Sequence, residues 1–205
     1  MRRFFDQPVT RWRNPKGALH VYALPKPDSD LVNDARRADQ VLKDVPQLAI
    51  QPLDYLHMTL QRLDLYRSDL DDKQWERLLT ELESRITELD AFGIDFVKPQ
   101  VRQTAVEVVG KERVKWQQLV DSIREAFKGS GLGSAVMEPP FGPHYTLAYC
   151  VQDADKATDS QIQRKLDEVS VETNMHINQV WLVEVTESPK EGVFSFDRLA
   201  KWSLR

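Results

Sequence analysis

A nine-residue phrase occurs twice in this chain, and it constrains the fold more than any other feature. Pro52-Leu-Asp-Tyr-Leu-His57-Met-Thr59-Leu60 and Pro139-Pro-Phe-Gly-Pro-His144-Tyr-Thr146-Leu147 each run from a Pro through four residues to His, an apolar or aromatic residue, Thr and Leu. The two frames hold two of the four histidines in a chain of 205 residues. In a strand, side chains i and i+2 share a face. His57 and Thr59 are therefore expected to point one way with Met58 and Leu60 opposed, and His144 and Thr146 likewise against Tyr145 and Leu147.

The surroundings repeat as well. Ala18–Leu24 reads as a first strand, ended by Pro25 and Pro27. Asp28, Ser29 and Asp30 offer caps for a helix running to about Lys43, with Leu31, Ala35, Ala38 and Leu42 on one face. Leu48–Ile50 and Tyr55–Leu63 carry the first motif. A helix over about Asp72–Leu89 follows, then strands at Phe92–Val97 and Thr104–Val109 that read as a pair. A helix from Val114 ends at Gly129, a strand holding the second motif runs to about Val151, and a helix spans roughly Asp155–Val169. Strands at Met175–Thr186 and Phe194–Leu204 close the chain. A motif strand, a helix and a strand pair thus recur, which suits two similar lobes facing each other and not a solenoid.

Composition narrows the partners. The formal charge is −4, so no basic stripe for gripping nucleic acid through its phosphates is present. One cysteine, Cys150, excludes a disulfide framework and reads as a buried thiol. No apolar run approaches the length of a membrane span, and no apolar segment follows Arg2 and Arg3 as in a signal peptide. A cytoplasmic protein acting as a monomer is expected. Residues 1–17 form a basic and aromatic arm, with Arg2, Arg3, Arg11, Arg13 and Lys16 around Phe4, Phe5 and Trp12. The favoured reading packs these rings on the body and solvates the charges; the other makes the arm a phosphate-facing flap. The glycine-rich run 129–134 follows a helix and lacks a Lys-Ser/Thr ending, so it reads as a connection and not a phosphate cradle. His20 lacks a Thr two residues on and reads as a packed histidine; His176 is followed two residues on by Asn178 and is set aside.

Two imidazoles on opposite walls of a groove can divide one proton-transfer task, since an ordinary pKa near 6.5 leaves either form accessible. One accepts a proton from the attacking oxygen while the other donates to the leaving oxygen, each transfer being worth roughly 10²–10⁴-fold. The Thr hydroxyls can donate to non-bridging phosphate oxygens. No metal or cofactor is needed, and neither a Gly-x-Ser-x-Gly nucleophile turn nor His pairs at metal-ligand spacing occur. The competing account is a pair of buried histidines on strands that merely look alike.

At His57-Met-Thr-Leu60 and His144-Tyr-Thr-Leu147 the chain resembles the two-histidine (2H) phosphoesterase superfamily, whose signature is two His-x-Thr/Ser-x motifs, and within it the bacterial 2'-5' RNA ligase and cyclic phosphodiesterase group. The resemblance implies a bilobal α+β fold over residues 18–205, with two pseudo-symmetric antiparallel sheets and flanking helices around a central groove. It further implies metal-independent chemistry on 2',3'-cyclic phosphates or 2'-5' linkages, with reverse ligation possible. By the same carry-over His57 and His144 are the acid–base pair, in either order, and Thr59 and Thr146 bind phosphate. The partner is a small cyclic phosphate, a nucleotide or an RNA end. Many RNA-directed members carry a basic residue soon after the second motif; Ala148, Tyr149 and Cys150 here turn the expectation from long RNA toward a small substrate. Arg62, Arg67 and Arg102 are the basic residues nearest the first half-site, and alternation sends Arg62 away from His57 to solvent or an ion pair. Three readings stay open: the ribose phosphodiesterase, a nucleotide or RNA-end binding module without turnover, and a phosphodiesterase for a cyclic oligonucleotide signal or other small cyclic phosphate.

Overall fold

The elements follow from their capping and patterning. A computed structural model describes residues 1–169 and 173–205. In chain order it contains β1 (Lys16–Ala23), α1 (Asp30–Leu42), β2 (Leu48–Ile50), β3 (Met58–Tyr66), α2 (Asp72–Ile86), β4 (Phe92–Asp95), β5 (Gln100–Val101), β6 (Ala105–Val109), α3 (Val114–Gly129), β7 (His144–Cys150), α4 (Lys156–Asp167), β8 (Asn174–Ile177), β9 (Gln179–Ser188) and β10 (Val193–Ser203). Of the three caps offered to α1, Ser29 acts, its hydroxyl accepting from the Val32 N–H. At α2 a reciprocal capping box forms: Asp71 accepts from Gln74 N at 2.8 Å and Gln74 accepts from Asp71 N at 3.0 Å.

Two four-stranded antiparallel sheets result, ordered β10-β9-β1-β3 and β2-β7-β6-β5, each carrying one motif strand. The motif strands β3 and β7 thus belong to different sheets. Leu19, Val21 and Ala23 of β1 enter the main apolar core with Leu60, Tyr145 and the inner faces of the helices. The alternate residue Tyr22 joins a second, aromatic cluster with Tyr149, Phe194 and Phe196, packed on by Phe4, Phe5 and Trp12. The first core welds helices to sheets; the second lies where the two sheets approach.

Two strand expectations are corrected. Phe92–Val97 and Thr104–Val109 do not pair as strands: β4 joins β8 in a separate two-stranded sheet, and only an isolated bridge, Phe96 to Gly110, links it to the β6 side. The single strand expected over Met175–Thr186 is two strands, β8 and β9, separated at Asn178, because each half pairs with a different sheet. Neither choice of partner is written in local hydrophobic pattern.

Both motif strands carry a bulge at the same place. Along β1 and β3, Val21 faces Gln61 while Tyr22 faces Thr59, leaving Leu60 as the extra residue. Along β6 and β7, Val106 faces Ala148 while Glu107 faces Thr146, leaving Leu147 extra. The fourth residue of each motif is therefore the bulge, which shifts the in–out alternation of everything after it.

Candidate active site

The strand frame places His57, Thr59, His144 and Thr146 on the wall of one cavity of about 280 Å³. All four residues singled out in the sequence are brought together. Each imidazole is held the same way. His57 Nδ1 lies 2.8 Å from the carbonyl of Tyr55, and His144 Nδ1 lies 2.9 Å from the carbonyl of Gly142. A carbonyl can only accept, so Nδ1 carries the hydrogen in both rings and Nε2 is left to react. The Pro at the head of each frame helps to set this up on the first side: Pro52 precedes a 3-10 turn, Leu53–Tyr55, that presents the Tyr55 carbonyl. On the second side Gly142 has φ +149°, and a Cβ there would sit 1.4 Å from Arg113 Nη1, which donates to the Phe141 carbonyl at 3.1 Å. Glycine takes this φ without strain, and a Cβ there would also push the Arg113 guanidinium aside.

The two rings differ in setting. His57 is buried and stacks on Tyr22 with centroids 4.1 Å apart and planes 11° apart. Burial pushes its pKa down to about 4, against the Nδ1 bond to the Tyr55 carbonyl, with the nearby His144 adding to the fall. His57 is consequently neutral at pH 7. His144 is half-buried and lies flat on the exposed Phe141, centroids 4.5 Å apart and planes 15° apart. Beside them, the Thr59 hydroxyl faces the phenol of Tyr22 and the Thr146 hydroxyl faces the phenol of Tyr149, both phenols pushed up by burial.

The bulges correct the expected facing of the residues after each motif. Arg62 does not alternate away from His57: with Leu60 looped out, Arg62 and Thr59 share the cavity face, and Arg62 lines it. Tyr149 takes the corresponding place after Thr146. Among the described residues, Arg62 Nη2 reaches the Glu138 carbonyl at 3.4 Å and its buried Nε has no hydrogen-bond partner. Burial lowers its pKa, but a guanidinium stays charged. Arg67 is turned elsewhere, onto Asp72 at 3.3 Å and over Trp75. Arg102 lies 3.8 Å from Glu107 and 5.6 Å from the Phe141 ring, at the rim.

Sequence reasoning set His20 aside as a packed residue and did not single out Tyr22 or Glu107. His20 is packed, as expected, yet it also lines the cavity with its Nδ1 3.0 Å from the Tyr22 hydroxyl. Desolvation pushes its pKa well below the usual value, helped by Arg62 and His57. Register alone, Tyr22 opposite Thr59 and Glu107 opposite Thr146, brings the other two in. His176 is exposed on β8 and lines no part of the cavity, and Tyr145 is buried in the core as parity required. Cys150 is buried with its thiol donating to the Gln152 carbonyl at 3.1 Å, and burial raises its pKa. Among the described residues no trio of His, Cys, Asp and Glu side chains is grouped to hold a metal ion. Among them, too, no helix is long and apolar enough to cross a membrane.

The family model described as the 2'-5' RNA ligase superfamily matches residues 27–188. Among solved structures the chain is similar to TT0787 of Thermus thermophilus, at 18% identity and a TM-score of 0.69, covering 92% of this chain and 98% of that one. LigT of E. coli complexed with 3'-AMP is 15% identical with a TM-score of 0.62, over 92% of this chain and 98% of that one. The MHV ns2 PDE domain is 12% identical with a TM-score of 0.54, over 90% and 100%. No match by sequence is found among curated proteins. At such identities these structures establish the fold, the bilobal α+β arrangement of antiparallel sheets that the motifs implied.

Proposed function

The chain belongs to the 2'-5' RNA ligase superfamily of two-histidine phosphoesterases, and from that premise we propose that it is a metal-independent phosphodiesterase acting on a ribose 2',3'-cyclic phosphate or 2'-5' linkage. The observation that carries this reading is the matched pair of imidazoles, each with Nδ1 clamped by a carbonyl two residues earlier, on one cavity with two Thr hydroxyls. LigT of E. coli has been solved with 3'-AMP, ATP and NADP+, which supports a nucleotide-like ligand for the same fold.

In the hydrolytic direction a water oxygen attacks phosphorus while its proton passes to Nε2 of His57. The neutral state of this ring at pH 7 supports its role as the base. The bond from phosphorus to the ribose oxygen breaks on the far side, and that oxygen takes a proton from Nε2–H of His144. The base leaves the cycle protonated and the acid neutral, so exchange with solvent restores both; ligation runs the same transfers in reverse. Thr59 and Thr146 donate to the non-bridging oxygens, and Arg62, whose Nε has no partner among the described residues, balances their charge.

Turnover of 2',3'-cyclic nucleotides in EDTA by the wild type, beside His57→Ala and His144→Ala, tests the assignment. Activity is expected in the wild type and is expected to fall by roughly 10²–10⁴ in each variant. Undiminished activity in both variants overturns it.

A further inference from the structure

The N-terminal arm belongs to both lobes at once. Its first residues are tied to the lobe of the second motif: Arg2 N donates to the Gln103 carbonyl at 2.7 Å, Arg2 Nη1 to Asp153 at 2.7 Å, and Arg3 N to Asp153 Oδ1 at 2.9 Å. Its last residues are tied to the lobe of the first motif, with Arg13 Nη2 2.5 Å from Asp69 and Asn14 N 2.9 Å from the Tyr66 hydroxyl. In between, Phe4 packs on Tyr149 at 4.5 Å and on Phe194 at 6.0 Å, while Trp12 packs on Phe194 at 5.7 Å and His20 at 5.2 Å. Phe4, Val9, Thr10 and Trp12 thereby become cavity wall. The arm's rings pack on the body as the sequence implied, but three of its arginines are engaged in ion pairs, and it presents aromatic surface to the site.

We propose that this arm is a fixed strap across the groove, and that the substrate is therefore a single small molecule with a phosphate at one end and a flat apolar group at the other. A mononucleoside 2',3'-cyclic phosphate has this shape; a nucleic acid strand running through the groove does not fit it. The inference rests on the phosphoesterase reading and narrows its substrate. Two observations carry it. The cavity, at about 280 Å³, is just under the roughly 300–1,000 Å³ typical of sites for small ligands. Its walls are also polarised: His57, Thr59, His144, Thr146 and Arg62 make the anion-binding part, and Phe4, Val9 and Trp12 of the arm make an apolar part that suits a base. A strand continuing past that part must break the arm's ties to both lobes.

The test compares kcat/KM on 2',3'-cyclic AMP with kcat/KM on a tetranucleotide ending in a 2',3'-cyclic phosphate. The wild type is expected to favour the mononucleotide by at least about tenfold, the scale of one lost stacking or wall contact. Arg13→Ala unhooks the strap at an exposed ion pair, and Trp12→Ala removes wall; both are expected to narrow the preference toward one, Trp12→Ala also raising KM for the mononucleotide, with Trp12→Phe restoring it in part. Equal turnover of the two substrates by the wild type, or an unchanged ratio in both Arg13→Ala and Trp12→Ala, overturns the strap. If the wild type turns over neither substrate, the phosphoesterase reading on ribose fails separately, and calorimetric titration decides the size question. Saturable binding of adenosine 3'-monophosphate but not of a 3'-phosphorylated tetranucleotide then upholds the strap; binding of both, or of neither, overturns it.

Discussion

The two half-sites share a skeleton and differ in their surroundings. In both, a carbonyl clamps Nδ1, a Thr follows two residues later, and a Leu bulges out. After the bulge, however, the first strand delivers Arg62 and the second Tyr149, and His57 is buried on Tyr22 while His144 lies half-open on Phe141. Repetition supplies two imidazoles with Nε2 free of the clamp; under the proposed mechanism their unequal settings give them different jobs. A site with two identical settings would have no built-in reason to start one ring as base and the other as acid.

The hardest way to break the comparison is to remove a ring. His57→Ala and His144→Ala are each expected to lower kcat by roughly 10²–10⁴, the range of one lost proton transfer, as read by steady-state assay. A variant within a few-fold of wild type would take that histidine out of the chemistry.

The asymmetry of setting shows next in pH. If His57 is the base, the acid limb of kcat/KM falls with an apparent pKa of about 4, well below the 6.5 of a free imidazole. A limb near 6.5 removes the base assignment from His57. The same depression links to stability. Between about 6.5 and 4 the unfolded chain binds a proton at His57 that the folded chain does not, so the fold loses stability as pH falls through that window. The loss is about 3 kcal/mol from pH 7 to 4, and His57→Phe is expected to remove it. Burial also raises the acids Glu187, to about 7, and Asp39, to about 6, which act in the opposite sense; being common to both proteins they cancel in the difference. Denaturant titrations of wild type and variant at the two pH values measure this.

Smaller effects sharpen the contrast between Arg62 and Tyr149. Arg62→Met is expected to cost roughly tenfold to a hundredfold in kcat/KM, the worth of a charge-assisted hydrogen bond, with Arg62→Lys recovering part of it. Tyr149→Phe keeps the ring and should cost less than about tenfold, since it removes one neutral hydroxyl that faces Thr146. Equal losses at the two positions would erase the charge asymmetry. Thr59→Val and Thr146→Val should each cost about tenfold, one neutral hydrogen bond apiece.

Strand parity made much of this site legible. His57 and Thr59, and His144 and Thr146, share faces because period-two alternation holds up to the bulge, and Tyr145 is buried for the same reason. Arg62 was misplaced by that rule because Leu60 is looped out of the ladder. An apolar residue in a strand looks the same whether it pairs or bulges, so no local signal marks the change. Tyr22, Glu107 and His20 enter through register between strands far apart in the chain, and β4 finds β8 the same way.

By itself the sequence determined the candidate side chains: two His–Thr frames, each a strand face, in two lobes, because side-chain alternation is a property of the backbone and needs no partner. Tertiary structure alone decided how those side chains are set and what surrounds them. Burial of His57 lowers its proton affinity, the paired bulges aim Arg62 and Tyr149, and the arm's ties to both lobes draw one wall of the cavity. Each of these depends on which surfaces meet, and desolvation, register and contact exist only once they do.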